Sequence, residues 1–177
     1  MTVQIAIPMS RNQIIENVRI IKRSLGLENT LCFPVLRFVE IILPQIDSSF
    51  GFNVVEYGEM TDKYACYEPK LNVMSVREDV YDCAYKDDPR HRFTLAHEVG
   101  HYFLHRDSVI LSRSDCNSPV VAYCDPEWQA NTFASELLMA SHLIVGMDIS
   151  EIQKKCLTSF EASRIALYNA KKAKRLA

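Results

Sequence analysis

Glycine and proline are scarce, 5 and 7 among 177 residues, which excludes collagen-like and low-complexity chains. No apolar run is long enough for a bilayer, because the longest, residues 35–46, is broken by Arg37, Glu40 and Pro44. Neither sign of charge dominates. Lys and Arg number 20 and Asp and Glu 22, for a net charge of -2, so bulk attraction to nucleic acid is not expected. None of the six cysteines (32, 66, 83, 116, 124 and 156) forms a CxxC pair. The first residues lack the basic start and long apolar run of a signal peptide. Reduced thiols, mostly filling the core of a cytoplasmic protein, are therefore the expectation. What is present is ordinary globular usage, 48% hydrophobic and 24% charged. Such a chain buries a real core, which excludes disorder as its main state.

Helical spacing of Ile14, Ile15, Val18, Ile21 and Leu25 predicts a first helix from Ser10 to Leu25, stopped by Gly26. A second should run from Pro34 to Leu43, closed by Pro44. Three short strands follow, residues 52–57, 64–67 and 70–76, the last two separated by a turn at Glu68-Pro69. They read as an antiparallel set. Asp88-Pro89 opens a helix to His105, since Asp caps and Pro suits the first helical position. A polar loop from Ser112 to Pro119 comes next. Asp125-Pro126 repeats the device, with a helix to Met139. Residues 148–174 read as two short helices joined near 157–159. Helices, a small sheet, then helices give an α+β fold, with the small antiparallel sheet packed on the Pro89 helix. Residues 1–146 form the main domain and 147–177 a short helical extension packed on it.

The Pro89 helix carries His97-Glu98-Val99-Gly100-His101, an HExxH motif. At about 100° per residue the two histidines lie about 40° apart on one face, one turn from each other. Imidazoles so placed can share one metal ion, and Glu98, on the adjacent surface, can take a proton from a water polarised there. The helix is otherwise apolar, with Phe93, Leu95, Ala96, Val99, Phe103 and Leu104, and a buried His pair needs partners. A hydrolytic site also needs a third protein ligand. Glu127, in the first turn of the Asp125 helix, can be that ligand; an acid there can equally complement the helix dipole. Asn131, four residues on, shares its face and can hold an imidazole's other nitrogen. Ala130 and Ala134 would let the two helices approach closely. Glu136 is the fallback ligand, although it projects away from that face.

Residues 92–105 and 127–139 together resemble the ImmA/IrrE metallo-endopeptidases, and the resemblance covers roughly residue 71 to the C-terminus. It implies a gluzincin-like, zincin-type minimal protease domain: one Zn2+ per chain, with Mn2+ as an alternative, held by His97, His101 and Glu127, and Glu98 as base. It also implies a cytoplasmic protease that cuts a helix-turn-helix repressor and so releases genes of a mobile element or a stress response. Some members of that family sit in toxin–antitoxin-like pairs. Ala140 departs from the family, which usually has proline there, and puts the local turn in question.

Other residues carry weaker signals. His105 continues the His97 and His101 row, and fits a histidine meeting the last carbonyls of its helix. Tyr102, Tyr123 or His105 could stabilise an oxyanion. Asn72, Val73, Met74 and Ser75, just before the catalytic helix, are candidates for binding an extended substrate along a sheet edge. Cys116 and Cys124 are spaced too widely for a good second metal site. The basic residues 171–175 suit a solvated helix end. Two rivals stand beside the enzyme: a metal-containing binding protein that sequesters its partner without cutting it, as an antirepressor or toxin–antitoxin component, and a helix-turn-helix DNA binder, which the charge disfavours. Neither nucleic acid nor membrane is an expected partner.

Overall fold

The computed structural model describes residues 3–106, 109–112 and 121–176. Apart from Ser112, the polar loop and Cys116 lie outside them. Ser10 opens α1 (Arg11–Ser24) with a capping box, accepting from the Gln13 N–H while the Gln13 side chain accepts from the Ser10 N–H. Ile14 and Val18 are buried, as the spacing predicts. Gly26, at φ +68°, takes the left-handed conformation that ends the helix. There the Leu27 N–H turns back to the Lys22 carbonyl.

Pro44 does not close the second helix. α2 (Val35–Arg37) passes through a π turn (Phe38–Ile42) into α3 (Leu43–Ile46). The Leu43 N–H reaches the Phe38 carbonyl five residues back, and this wider turn makes room for a ring that would clash in a regular helix.

β2 (Gly51–Val55), β3 (Ala65–Glu68) and β4 (Val73–Arg77) form one sheet in the order β2-β4-β3. Two expectations change here. The sheet is mixed: β4 runs antiparallel to β3 and parallel to β2, because the chain reverses through β3 before returning beside β2. Residues 72–75 are not at an edge either, since Val73, Met74 and Ser75 have strand partners on both sides. The Asn72 amide is also engaged. It donates to Asp47 Oδ2 and Ser49 Oγ and accepts from the Tyr67 hydroxyl, while Met74 is 0% exposed. These residues therefore offer a peptide no row of unpaired main-chain groups. Among the described residues, the sheet edge beside the HExxH helix is β3.

α4 (Glu78–Tyr85) and a second antiparallel pair, β1 (Val3–Ala6) with β5 (Val109–Ser112), were not expected from the sequence. α5 (Pro89–His105) and α6 (Pro126–Leu138) start as read: Asp88 accepts from the Arg90 and His91 N–H groups and Asp125 from the Glu127 N–H. α7 (Ser141–Ile144), α8 (Ile149–Cys156) and α9 (Phe160–Leu176) complete an α+β fold. α6 packs between α1 and α5, and α9 packs on α6 and α7. Of the described cysteines, all free thiols, only Cys156 is fully buried. Among the described residues no helix is long and apolar enough to cross a membrane.

The turn at Ala140 holds without proline. Its φ of -53° is one a proline would also adopt. The buried Glu136 carboxyl fastens the turn by accepting from the Ser141 N–H and hydroxyl, and this engagement removes Glu136 as a fallback ligand. Burial pushes the Glu136 carboxyl from 4.5 up to about 7, against the opposing pull of the Ser141 bonds and Lys22. Between those values the folded chain binds more protons than the unfolded one. Its contribution to stability is thus full below about 4.5 and lost as pH rises through about 7. Glu136→Gln keeps the acceptor oxygen and removes the ionisation. Denaturant unfolding should show it more stable than wild type at pH 8, by on the order of 2–3 kcal/mol, with little difference at pH 4.

Candidate metal centre

α5 and α6 touch where both carry minimal side chains. A Cβ on Gly100 would meet the Ala130 Cα at 3.0 Å and its carbonyl oxygen at 3.1 Å. Both are main-chain atoms, so α6 could not yield without moving as a body. The approach brings Glu127, at the start of α6, over the histidine face of α5. Glu127 Oε2 lies 3.2 Å from His97 Nε2, Glu127 Oε1 lies 3.4 Å from His101 Nε2, and the two Nε2 atoms are 2.9 Å apart. The three donors lie within 4.8 Å of one another. The His101 and His97 imidazoles set against it hold the Glu127 carboxyl far below its ordinary range. Burial disfavours the charged form of His97, yet Glu127 and Glu98 outweigh it and raise its pKa.

Each imidazole turns its other nitrogen away from this centre. His97 Nδ1 is 3.0 Å from Asn131 Oδ1, the contact expected of Asn131. His101 Nδ1 is 2.9 Å from His105 Nδ1, and His105 Nε2 is 3.0 Å from Gln129 Oε1. His105 therefore meets side chains, not the terminal carbonyls of its helix. Both its nitrogens are engaged, so it is not set to stabilise an oxyanion. Gln129 carried no signal in the sequence, since a residue two positions after Glu127 lies on a different face of α6.

Glu98 is buried, and its Oε2 accepts from the Tyr67 N–H of β3 at 2.7 Å. The HExxH helix and the sheet edge are thus joined through the candidate base itself. Tyr102 lies elsewhere. Its hydroxyl donates to Asp47 Oδ2 at 2.9 Å, its ring packs edge-on against Phe50 and Tyr67, and burial pushes its pKa up to about 12. Tyr123 is exposed, and its carbonyl accepts from Gln129.

A cleft of about 340 Å³ opens over His97, Glu98 and His101, with Lys63, Cys66 and Tyr67 along its far wall. Beyond Glu127 and Asn131 lies a wider groove of about 1030 Å³, walled by Phe93, Trp128 and Ile165. Two imidazoles and one carboxylate, facing a cleft and backed by a second carboxylate, are the donor set of a metallopeptidase. The Peptidase_M78 family model, described as the IrrE N-terminal-like domain, matches residues 49–169. The chain belongs to this family. A search of curated proteins finds no match.

Gly100→Ala tests the helix contact. Alanine gains helix propensity worth up to about 1 kcal/mol. Overpacking against main-chain atoms costs about 1–3 kcal/mol. The variant should unfold at a lower temperature than wild type. It should also bind metal more weakly in chelator competition, because α6 carries Glu127 away from the histidines.

Proposed function

We propose that the protein is a cytoplasmic zinc-dependent endopeptidase that cuts a helix-turn-helix repressor, relieving repression of a mobile element or stress response. The observation that carries the reading is the convergence of His97, His101 and Glu127 beside Glu98, which is itself bonded to the outer strand β3. Two imidazole nitrogens with one carboxylate oxygen suit zinc, and a set of three among the described residues, not four, fits a catalytic ion. His97 and His101 would hold it through Nε2 and Glu127 through its carboxylate; the bound ion would supply Lewis acidity toward a water and the scissile carbonyl.

The chain's own groups supply the rest. Glu98 accepts the proton of the attacking water and delivers it to the leaving amine. The Tyr67 N–H, bonded to Glu98 Oε2, keeps that carboxylate turned toward the cleft. An extended segment adding to β3 would make main-chain hydrogen bonds and lie over the donors, which moves the substrate edge from residues 72–75 to residues 65–68. So short an edge suits one flexible stretch of a particular protein better than broad proteolysis.

Wild-type protein should bind about one zinc per chain, and His97→Ala, His101→Ala or Glu127→Ala should abolish tight binding. Undiminished binding in Glu127→Ala would reject the third ligand. Glu98→Gln should keep the metal and the partner while cleavage falls at least about a hundredfold. If Glu98→Gln retained full effect on its target in cells, the protein would act by sequestration instead. One discrete cut in a repressor encoded beside it, with casein left intact, is the expected specificity; rapid casein digestion with the repressor intact would overturn it.

A further inference from the structure

We propose that Gln129 and His105 are positioning residues: a buried relay that fixes the tautomer of His101 and ties it to the N-terminal segment. The inference rests on the reading of His97, His101 and Glu127 as a metal site. It begins at Gln129, which is 1% exposed. The Gln129 Nε2 donates to two main-chain carbonyls, Ile7 at 2.9 Å and Tyr123 at 2.7 Å. Carbonyls only accept, so the amide cannot be flipped, and its oxygen must face His105.

The direction of every later bond follows from that orientation. An amide oxygen accepts, so His105 Nε2, 3.0 Å away, carries a hydrogen and donates. His105 Nδ1 then presents a lone pair. His101 Nδ1, 2.9 Å from it, supplies the hydrogen for that bond. His101 Nε2 is left with its lone pair directed toward Glu127 and His97, the form in which an imidazole ligates a metal. With the opposite tautomer at His101, two lone pairs would face each other in a pocket where His105 is 2% exposed.

The relay ends outside the segment that defines the family. Ile7 precedes the matched residues 49–169, and the Met9 N–H bonds to the same Tyr123 carbonyl that Gln129 uses. The N-terminal segment and the turn before α6 thus share one clamp on Gln129.

Zinc itself is the probe. In chelator competition, His105→Phe should weaken zinc binding by about 10–100-fold, the usual effect of removing a partner that orients a ligand. His105→Gln, whose side-chain oxygen can accept from His101 Nδ1–H, should recover most of that loss. Gln129→Met should fall between them. Nitrogen-correlated imidazole spectra of the metal-free wild type should show Nδ1–H on His101 and Nε2–H on His105, a readout that needs neither metal nor cleavage. The proposal is overturned if His105→Phe folds and binds zinc as tightly as wild type, or if the spectra show the reverse tautomers. Either result would leave the peptidase reading standing. A wild type that binds no zinc would overturn the metal site and the relay together. If His105→Phe does not fold, the wild-type spectra and Gln129→Met decide the matter.

Discussion

The contact of Gly100 with Ala130 fixes the separation of α5 and α6, and the donors of the metal centre are divided between those two helices. His97 and His101 come from one, Glu127 from the other, and the groups behind the imidazoles are divided as well, with Asn131 and Gln129 on α6 and His105 on α5. At this crossing there is no room even for a Cβ on Gly100, so the bare glycine sets how near the two helices come. The site is therefore a property of one interface, and the remaining elements hold that interface in place. α1 covers the outer side of α6, while β3 meets α5 through the bond from Tyr67 to Glu98.

Much of this interface was legible in the sequence because its signals are local. Asp-Pro caps mark where α5 and α6 begin, HExxH sets two histidines one turn apart, and small residues at 130 and 134 announce a close approach. Asn131 was readable by its four-residue offset from Glu127. His105 was visible as a histidine but not in its role. Its partners depend on how α6 crosses α5, which no spacing along α5 encodes.

The remainder was hidden for similar reasons. Strand order is a matter of long-range pairing, and the alternation in residues 70–76 is compatible with either an edge or a centre strand; partners on both sides made β4 central. Pro44 carries a strong local stop signal, and tertiary packing overrode it with a π turn that no single residue announces. α4 buries only Val80 and Ala84, too small a face to stand out from its neighbours.

The three donors differ in how far each is sunk into the protein. The side chains of His97 and His101 are 17% and 18% exposed, whereas that of Glu127 is 62% exposed. The imidazoles belong to the flank of a core helix and take their places as the chain folds; the carboxylate stands at the solvent side like a door on that frame. An ion can accordingly enter and depart by way of Glu127, with no opening of the core. Exchange kinetics would be governed by the swing of one side chain, and loading can follow folding instead of accompanying it.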